Sequence, residues 1–394
     1  MRVWVALLVI APWSALAKPI QSPVAPLDPP EIGCASAVVI DAADGTVLHE
    51  READVLRFPA STTKILTALL LLERARPDDV VVAPAGVEKV GGASLHLIPG
   101  ERLNVRDLVY AILLRSANDA CVAAAVHVAG SVESFARLMN DRARAIGCRS
   151  SRFVNPHGLH DPLHQTTARD LALIAREAMR RPDFRAIVRT QRRVIERSLN
   201  DKDRLLINKN RVLRKDETTI GVKTGFTNPA GRCFVGAVER EGFEVVTVVL
   251  GSSDWPRDHL ALADWAYRHH AVSKVARRGD FAGLTPVKGG KASEVRAELS
   301  EDVRWVARKG ATARVEFEPS PVEAPVLVGQ RIGVASVIGE SGQRREVDVV
   351  AAAAVAEAPS AWPWALMLGA VALGVGAAAR RRPSPGSGRV ARRS

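Results

Sequence analysis

A hydroxyl and an amine stand one helical turn apart at the head of an apolar run: Pro59-Ala60-Ser61-Thr62-Thr63-Lys64 opens Ile65-Leu66-Thr67-Ala68-Leu69-Leu70-Leu71-Leu72. Side chains three apart on a helix share a face, so Ser61 and Lys64 are expected neighbours. A serine at a helix mouth is ordinarily an N-cap. Lys64 complicates that reading, because the run behind it has few polar interruptions before Glu73 and Arg74, which predicts a helix buried nearly all round. An amine there must reach water or lose its charge. Neutral, it is a base beside a hydroxyl, and that activates a serine nucleophile without a histidine.

Two further groups could join this pair. Ser116-Ala117-Asn118-Asp119-Ala120 lies between two helical patterns, where a serine and an asparagine serve as a capping pair or as the second member of a polar set. Thr219-Ile220-Gly221-Val222-Lys223-Thr224-Gly225 is a β-rich run that carries a lysine toward its end. The loop from Asn155 to His164 holds His157, His160, His164 and Asp161, a set that tempts one to a metal. Its two prolines and glycine interrupt any helix that would align ligands, so the histidines read as hydrogen-bonding groups and no metal is expected. Cys34, Cys121, Cys148 and Cys233 show no Cys-x-x-Cys spacing, which argues against zinc and leaves free thiols and one or two bridges equally open.

The elements that must position these residues follow in order. Ala35 to Ile40 and Thr46 to Glu50 pattern as a hairpin around Asp41-Ala42-Ala43-Asp44-Gly45, and the Ser61 helix comes next. Val80 to Val90 alternates weakly and ends in the small-residue loop Gly91-Gly92-Ala93-Ser94. A helix runs from about Val105 to Arg115, another through Val128, and a third from Glu133 to Ile146, closed by Gly147. Thr167-Ala168-Arg169-Asp170 resembles a capping box opening a helix that ends near Met179. The Lys223 strand, Arg232 to Val238 and Phe243 to Leu250 form a three-stranded antiparallel meander, followed by a helix from Asp258 to Tyr267. Strands from both ends of the region should therefore enclose its helices, without a βαβ repeat.

Outside residues 34–270 the texture changes. Met1-Arg2, the apolar Val3 to Pro12 and the exit Ala15-Leu16-Ala17 read as a signal peptide over 1–17. A proline-rich linker spans 18–33, short β-like runs over 275–350 predict a small all-β domain, and 351–360 is a second linker. Ala361-Trp362-Pro363-Trp364 leads into an uncharged stretch to Ala379, read as a transmembrane helix over 361–379 before a basic cytoplasmic tail, 380–394. The 394-residue chain is 47% hydrophobic and 25% charged, a folded rather than disordered composition. Of its net charge of +12, Arg2 and the six arginines from Arg380 onward contribute seven, so the body keeps a mild excess of +5. That suits anionic cell-surface polymers and gives no reason to expect nucleic acid.

Ser61-x-x-Lys64, Ser116-x-Asn118 and Lys223-Thr224-Gly225, in that order, resemble the three motifs of the D-alanyl-D-alanine carboxypeptidases of the low-molecular-mass penicillin-binding protein family, within the serine β-lactamase and transpeptidase-like superfamily. The resemblance covers about Cys34 to Tyr267 and includes Gly91-Gly92-Ala93-Ser94, His157-Gly158-Leu159 and Thr167-Ala168-Arg169-Asp170. It departs at Ala117, where Gly or Asp is usual, and in the anchor, which is amphipathic in many relatives.

The resemblance implies an α/β (α+β) transpeptidase-like catalytic domain with helices on an antiparallel sheet, then a small all-β domain and a membrane helix. It implies Ser61 as the acylated nucleophile, with Lys64 its base, depressed by burial and by the charge of Lys223. Ser116 would carry the proton to the leaving amine, and Asn118 would hold Lys64 and the substrate amide. Lys223, Thr224, Gly225 and Phe226 would bind the substrate, the first two by its carboxylate, with the N–H groups of Ser61 and Phe226 as an oxyanion hole. The implied partners are peptidoglycan stem peptides ending in D-Ala-D-Ala, β-lactam inhibitors and the cytoplasmic membrane, on whose outer side the catalytic domain would lie; no cofactor is implied. One rival reading is a β-lactamase, suggested by Glu196-Arg197-Ser198-Leu199-Asn200 but set too close to the Lys223 strand. The others are a DD-endopeptidase and an inactive peptidoglycan-binding membrane protein.

Overall fold

Five apolar strand runs drawn from opposite ends of the catalytic region meet in one sheet. The computed structural model describes residues 27–200, 202–340 and 342–359, so the expected signal peptide, membrane helix and basic tail lie outside the described residues. The hairpin is β1 (Ser36–Asp41) and β2 (Val47–Arg51), followed by α1 (Lys64–Arg74) and the short pair β3 (Val80–Val82) and β4 (Arg102–Asn104). Helices α2 (Val105–Tyr110), α3 (Asn118–Ala129), α4 (Val132–Ile146), α5 (Ala168–Met179) and α6 (Pro182–Arg189) come next. A second short pair, β5 (Arg192–Val194) and β6 (Leu205–Ile207), precedes the meander β7 (Thr219–Thr227), β8 (Gly231–Arg240) and β9 (Phe243–Ser252), and α7 (Trp255–His269) closes the domain. The sheet order is β2-β1-β9-β8-β7, with β1 antiparallel to β9 from Ser36 opposite Leu250 to Asp41 opposite Val245.

Every residue of β1 is buried, because both faces of the sheet are covered. Val38 and Ile40 join the core with α1, α3 and α5, while Ala37 and Val39 point the other way, into a second core with Trp255, Leu262 and Ala266 of α7. The strand period of two thus divides one apolar run between two cores. Thr167 accepts from the Asp170 N–H at 3.1 Å and so caps α5 as its sequence predicts, while the Asp170 carboxylate, rather than closing a capping box, accepts from the Arg149 and Ser150 N–H groups at 3.1 and 3.0 Å.

Two expectations change in detail. The helix beginning at Val105 is α-helical only to Tyr110 and continues as a π turn, Ala111–Arg115, which ends where Ser116 takes φ = 68°. Ser61 does not cap a helix: it sits inside a 3₁₀ turn, Ala60–Thr63, that leads into α1. All four cysteines are free and buried. Among the described residues no single helix is long and apolar enough to cross a membrane.

Among the described residues, eight strands between His270 and Ala351 form the second domain, a six-stranded sheet and a two-stranded ribbon around a core that includes Val295, Trp305, Val337 and Val347. It is joined to the first without slack, since α7 ends at His269 and the ribbon strand starts at His270. From the other ribbon strand Arg304 reaches back to the catalytic domain and grips Asp41, at the end of β1, with contacts of 2.5 and 3.0 Å. Asp41 is wholly inaccessible, and burial raises its carboxyl pKa despite the opposing pull of Arg304. Removing the guanidinium strands a buried carboxylate, which costs about 3–5 kcal/mol for a fully buried pair and less here, where Arg304 is partly exposed.

Arg304→Met is expected to lower Tm, and more at pH 8 than at pH 5. The unpaired Asp41 has a folded-state pKa above its unfolded value, so protonation at low pH relieves the loss. Thermal unfolding at both pH values checks this, and wild-type Tm at pH 8 would show that the pair contributes nothing.

Candidate active site

The turn that carries Ser61 is held by its own side chains. Thr62 Oγ1 donates to the Pro59 carbonyl at 2.7 Å and Thr63 Oγ1 to that of Ala60 at 2.9 Å, while Ala60 itself takes φ = 49°. Two glycines let neighbouring backbone close on this turn. A Cβ on Gly225 of β7 would lie 3.0 Å from the Ser61 nitrogen, and one on Gly158 would lie 1.8 Å from the Ala60 carbonyl oxygen. The strand edge and the 155–164 loop therefore clamp Ser61 from two sides.

Lys64, the first residue of α1, is fully buried, its Nζ 2.9 Å from Ser61 Oγ and 2.5 Å from the His157 carbonyl oxygen. Burial is the main cause that lowers its pKa from the usual 10.5 to about 8, with the positive charge of Lys209 adding to it and Asp119 opposing. Burial also pushes the neighbouring Cys121 thiol up to about 12, so it is uncharged where Lys64 titrates. Lys223, 1% exposed, is depressed well below the ordinary lysine value, by burial first and then by Lys64. The repulsion is mutual, so a proton on one amine disfavours a proton on the other.

The loop supplying the His157 carbonyl is tied down on both sides. Thr67 Oγ1 donates to the Pro156 carbonyl at 2.6 Å, and Asn155 Oδ1 accepts from the Gly158 N–H at 2.7 Å. His164 is a packing histidine of defined tautomer. Thr63 Oγ1 spends its proton on Ala60, so His164 Nε2 donates to it at 2.9 Å while Nδ1 accepts from the Val154 N–H at 3.1 Å. Burial lowers the pKa of His157 to about 3 and of His164 to about 4, so both rings are neutral at neutral pH.

Ser116, the left-handed C-cap residue of the π turn, and Asn118, the first residue of α3, reach the cleft from the break between the two elements. Asn118 Nδ2 donates to the Gly91 carbonyl at 2.7 Å, which ties it to the small-residue loop. Lys64 rests on the His157 carbonyl, a backbone group with no side-chain signature. Asp119, one residue on, accepts from the N–H groups of Leu95 and Leu97 at 2.9 Å each and from Ser94 Oγ at 2.6 Å, and so suspends that loop from α3.

The cleft, about 380 Å³, is lined by Ser61, Ser116, Asn118, Thr224, Gly225 and Phe226 together with Lys209, Arg211, Arg232 and Trp255. Lys223 lies behind it and donates to the Thr224 carbonyl at 2.9 Å. The last four lining residues were not candidates from sequence; no motif marks Lys209 or Arg232, and only the basic character of the 209–215 stretch hinted at the former. Among the described residues no carboxylate lines the cleft. Glu196 is on an outer loop between β5 and β6, its side chain 82% exposed and paired with Arg204 at 2.9 Å.

A serine hydroxyl against a buried amine, at the edge of an antiparallel sheet covered by helices, has the chemistry of acyl transfer without histidine and defines a serine hydrolase of the penicillin-binding class. The D-alanyl-D-alanine carboxypeptidase family model matches residues 23–254, and the C-terminal domain model of penicillin-binding protein 5 matches 272–357. The chain belongs to the D-alanyl-D-alanine carboxypeptidase family and is a serine-type peptidase of that kind. It is 29% identical over 331 residues to the carboxypeptidase DacF of Bacillus subtilis, covering 80% of this chain and 84% of the relative. It is 31% identical over 346 residues to DacC of Escherichia coli, covering 82% and 85%. Penicillin-binding protein 5 of Haemophilus influenzae has the same fold, with a TM-score of 0.72 at 24% identity over 84% of this chain and all of that one.

Gly158→Ala should destabilise far more than Gly86→Ala. Both glycines have positive φ, 80° and 84°, but only at 158 does a new Cβ meet backbone. Conformation alone costs about 1–2 kcal/mol, so comparing chemical denaturation of the two variants isolates the clash, and equal losses would show that the loop yields.

Proposed function

We propose that Ser61 is the nucleophile of a D-Ala-D-Ala carboxypeptidase reaction, with Lys64 as its base; the observation that carries this is the 2.9 Å contact between a serine Oγ and a wholly buried amine. Neutral Lys64 takes the proton as Ser61 Oγ attacks the carbonyl carbon of the penultimate D-alanine. The oxyanion turns toward the N–H groups of Ser61 and Phe226, and the passage of Gly225 beside the Ser61 nitrogen supports that pairing. As the C–N bond breaks, Ser116 passes a proton to the leaving amine and D-alanine departs. Water then attacks the ester, transfers its proton back through the same groups, and frees the shortened stem and Ser61. Asn118 holds the wall against which the substrate amide lies.

The terminal carboxylate is read as meeting the Thr224 hydroxyl and a field of cations. Arg232, opposite Phe226 on β8, lines the cleft and Lys223 lies behind Thr224, so the charge at this end comes from more than Lys223 alone. An arriving carboxylate favours a proton on Lys223 and, through their repulsion, its absence from Lys64. Binding thus moves the base toward its working form. With no carboxylate among the described residues lining the cleft to activate water, a penicilloyl ester on Ser61 should persist, which makes β-lactams inhibitors rather than substrates.

The setting of this reaction is part of the same reading: a signal peptide at 1–17, a proline-rich linker at 18–33, a catalytic domain at 34–270 and a small β domain at 275–350. The stretch expected as a linker at 351–360 belongs in part to the β domain, since Ala351 ends a strand and Val355 packs into the core and pairs with Val326; beyond it, a helix at 361–379 holds the enzyme to the membrane, with the 380–394 tail inside and the site facing peptidoglycan stems outside.

Wild-type protein should release D-alanine from a D-Ala-D-Ala-terminated muropeptide and be labelled by a fluorescent penicillin. Ser61→Ala should do neither while keeping its Tm, and label surviving on that variant would remove Ser61 from the role. The pH dependence follows from Lys64. Only its neutral form is active, about one molecule in ten at pH 7 for a pKa of about 8. The acylation kcat/KM should therefore rise through an acid limb centred near 8. A flat profile from pH 6 to 9 would show that Lys64 is not the base.

A further inference from the structure

The cleft continues past Ser61. A second cavity of about 630 Å³ shares Gly92, Ala93, Lys209 and Arg211 with it but none of the Thr224–Thr227 wall, so it extends away from the terminal-carboxylate end. Its floor is apolar, with Leu205 and Ile207 of β6 both nearly half exposed, and its rim is cationic, with Arg115, Lys209, Arg211 and Arg214.

One of these charges is neutralised within the protein. Asp203 meets Arg115 at 2.7 Å and also holds His96 at 2.7 Å. Lys209, Arg211 and Arg214 have no carboxylate partner among the described residues. They are also presented in a fixed way. Asn208 Nδ2 donates to the Val188 and Thr190 carbonyls at 3.1 and 3.0 Å, and Asn210 Oδ1 accepts from the Val212 N–H at 3.1 Å to cap a 3₁₀ turn, Arg211–Arg214. Side chains three apart on a 3₁₀ turn eclipse one another, so Arg211 and Arg214 leave it on the same side. The crowding is felt by Lys209, whose pKa is lowered by burial and then by Arg115. A row of like charges on a pinned segment, beside an apolar floor and open to the reaction cleft, is matched by an anionic peptide rather than by water alone.

We propose that this second cavity is a subsite for free carboxylates carried by the acyl-donor part of the substrate, upstream of the scissile D-Ala-D-Ala bond, with Arg214 and Arg211 as their partners. The inference rests on the carboxypeptidase reading, and it makes the enzyme selective for acidic stems over stems whose upstream carboxylates are amidated. Because Arg214 borders only the second cavity, it separates this subsite from the groups around Ser61.

The test is binding without turnover. Two D-Ala-D-Ala peptides that differ only in whether their upstream carboxylates are free or amidated are titrated calorimetrically into the full-length Ser61→Ala protein, with and without Arg214→Gln and Arg211→Gln. The acidic peptide is expected to bind roughly tenfold more tightly at low salt, as for one charge-assisted contact, and the preference to shrink severalfold in Arg214→Gln, nearly vanish in the double substitution and weaken as salt is raised. Equal affinities for the two peptides overturn the proposal, as does a preference that survives both substitutions or a failure of both peptides to bind. D-Alanine release by the wild-type protein, measured on the same two peptides, decides the carboxypeptidase reading separately. Both arginines are on the surface, and an unchanged Tm in each variant keeps loss of fold out of the comparison.

Discussion

Everything around Ser61 depends on keeping one amine dry. Moving Lys64 from its ordinary 10.5 to about 8 corresponds to about 3 kcal/mol of differential interaction between its two protonation states. That energy comes from the fold: an amine at the head of α1 is closed off by α3, the 155–164 loop and the β7 edge, and each of those elements is fixed by a separate device. Asp119 suspends the 94–97 loop, Asn155 and Thr67 fix the His157 carbonyl, and Gly225 brings the strand into contact. Lysine is suited to this use because its pKa moves readily with burial, whereas a guanidinium would keep its charge.

The same dryness explains the arrangement of charge. Among the described residues the protein's own carboxylates stay out of the cleft, because one fixed beside Lys64 would stabilise the ammonium and return it to an inert state, whereas a substrate carboxylate arrives at the Lys223 end. The acids nearest to hand are committed elsewhere, Asp119 to backbone N–H groups and Asp203 to Arg115 and His96. Cations are tolerated at the rim, where they both depress Lys64 and attract an anionic ligand. Lys209 does both, since it lines the cleft and lowers the amine behind it. The mild positive excess of the body carries less information than this local placement.

The spacing of Ser61 and Lys64, the apolar run behind them, the helix cap at Thr167 and the β7-to-β9 meander were legible because each is a local pattern with a local cause. What was hidden had a different origin. Ala111-Ile112-Leu113-Leu114 keeps the apolar character of α2 with no glycine or proline, so nothing marks the change to a π turn or the positive φ at Ser116. The His157 carbonyl that holds Lys64 is backbone and has no residue type to read. The burial of Lys223 behind Thr224 and the grip of Arg304 on Asp41 are tertiary facts; the latter joins residues 263 positions apart. The tie from Asn118 Nδ2 to the Gly91 carbonyl is likewise hidden, because its acceptor is a backbone group 27 positions away.

The four cysteines bear on how such a protein matures. Burial pushes Cys34 and Cys121 up to about 12 and Cys233 to about 11, and raises Cys148 further, so almost none of the thiolate needed for exchange is present at neutral pH. A chain with inert thiols needs no oxidant, no disulfide isomerase and no particular redox poise to reach its folded state. Its native form is the same covalent molecule in a reducing compartment and an oxidising one. The step that commits it to function is therefore the packing of two cores on either side of one sheet.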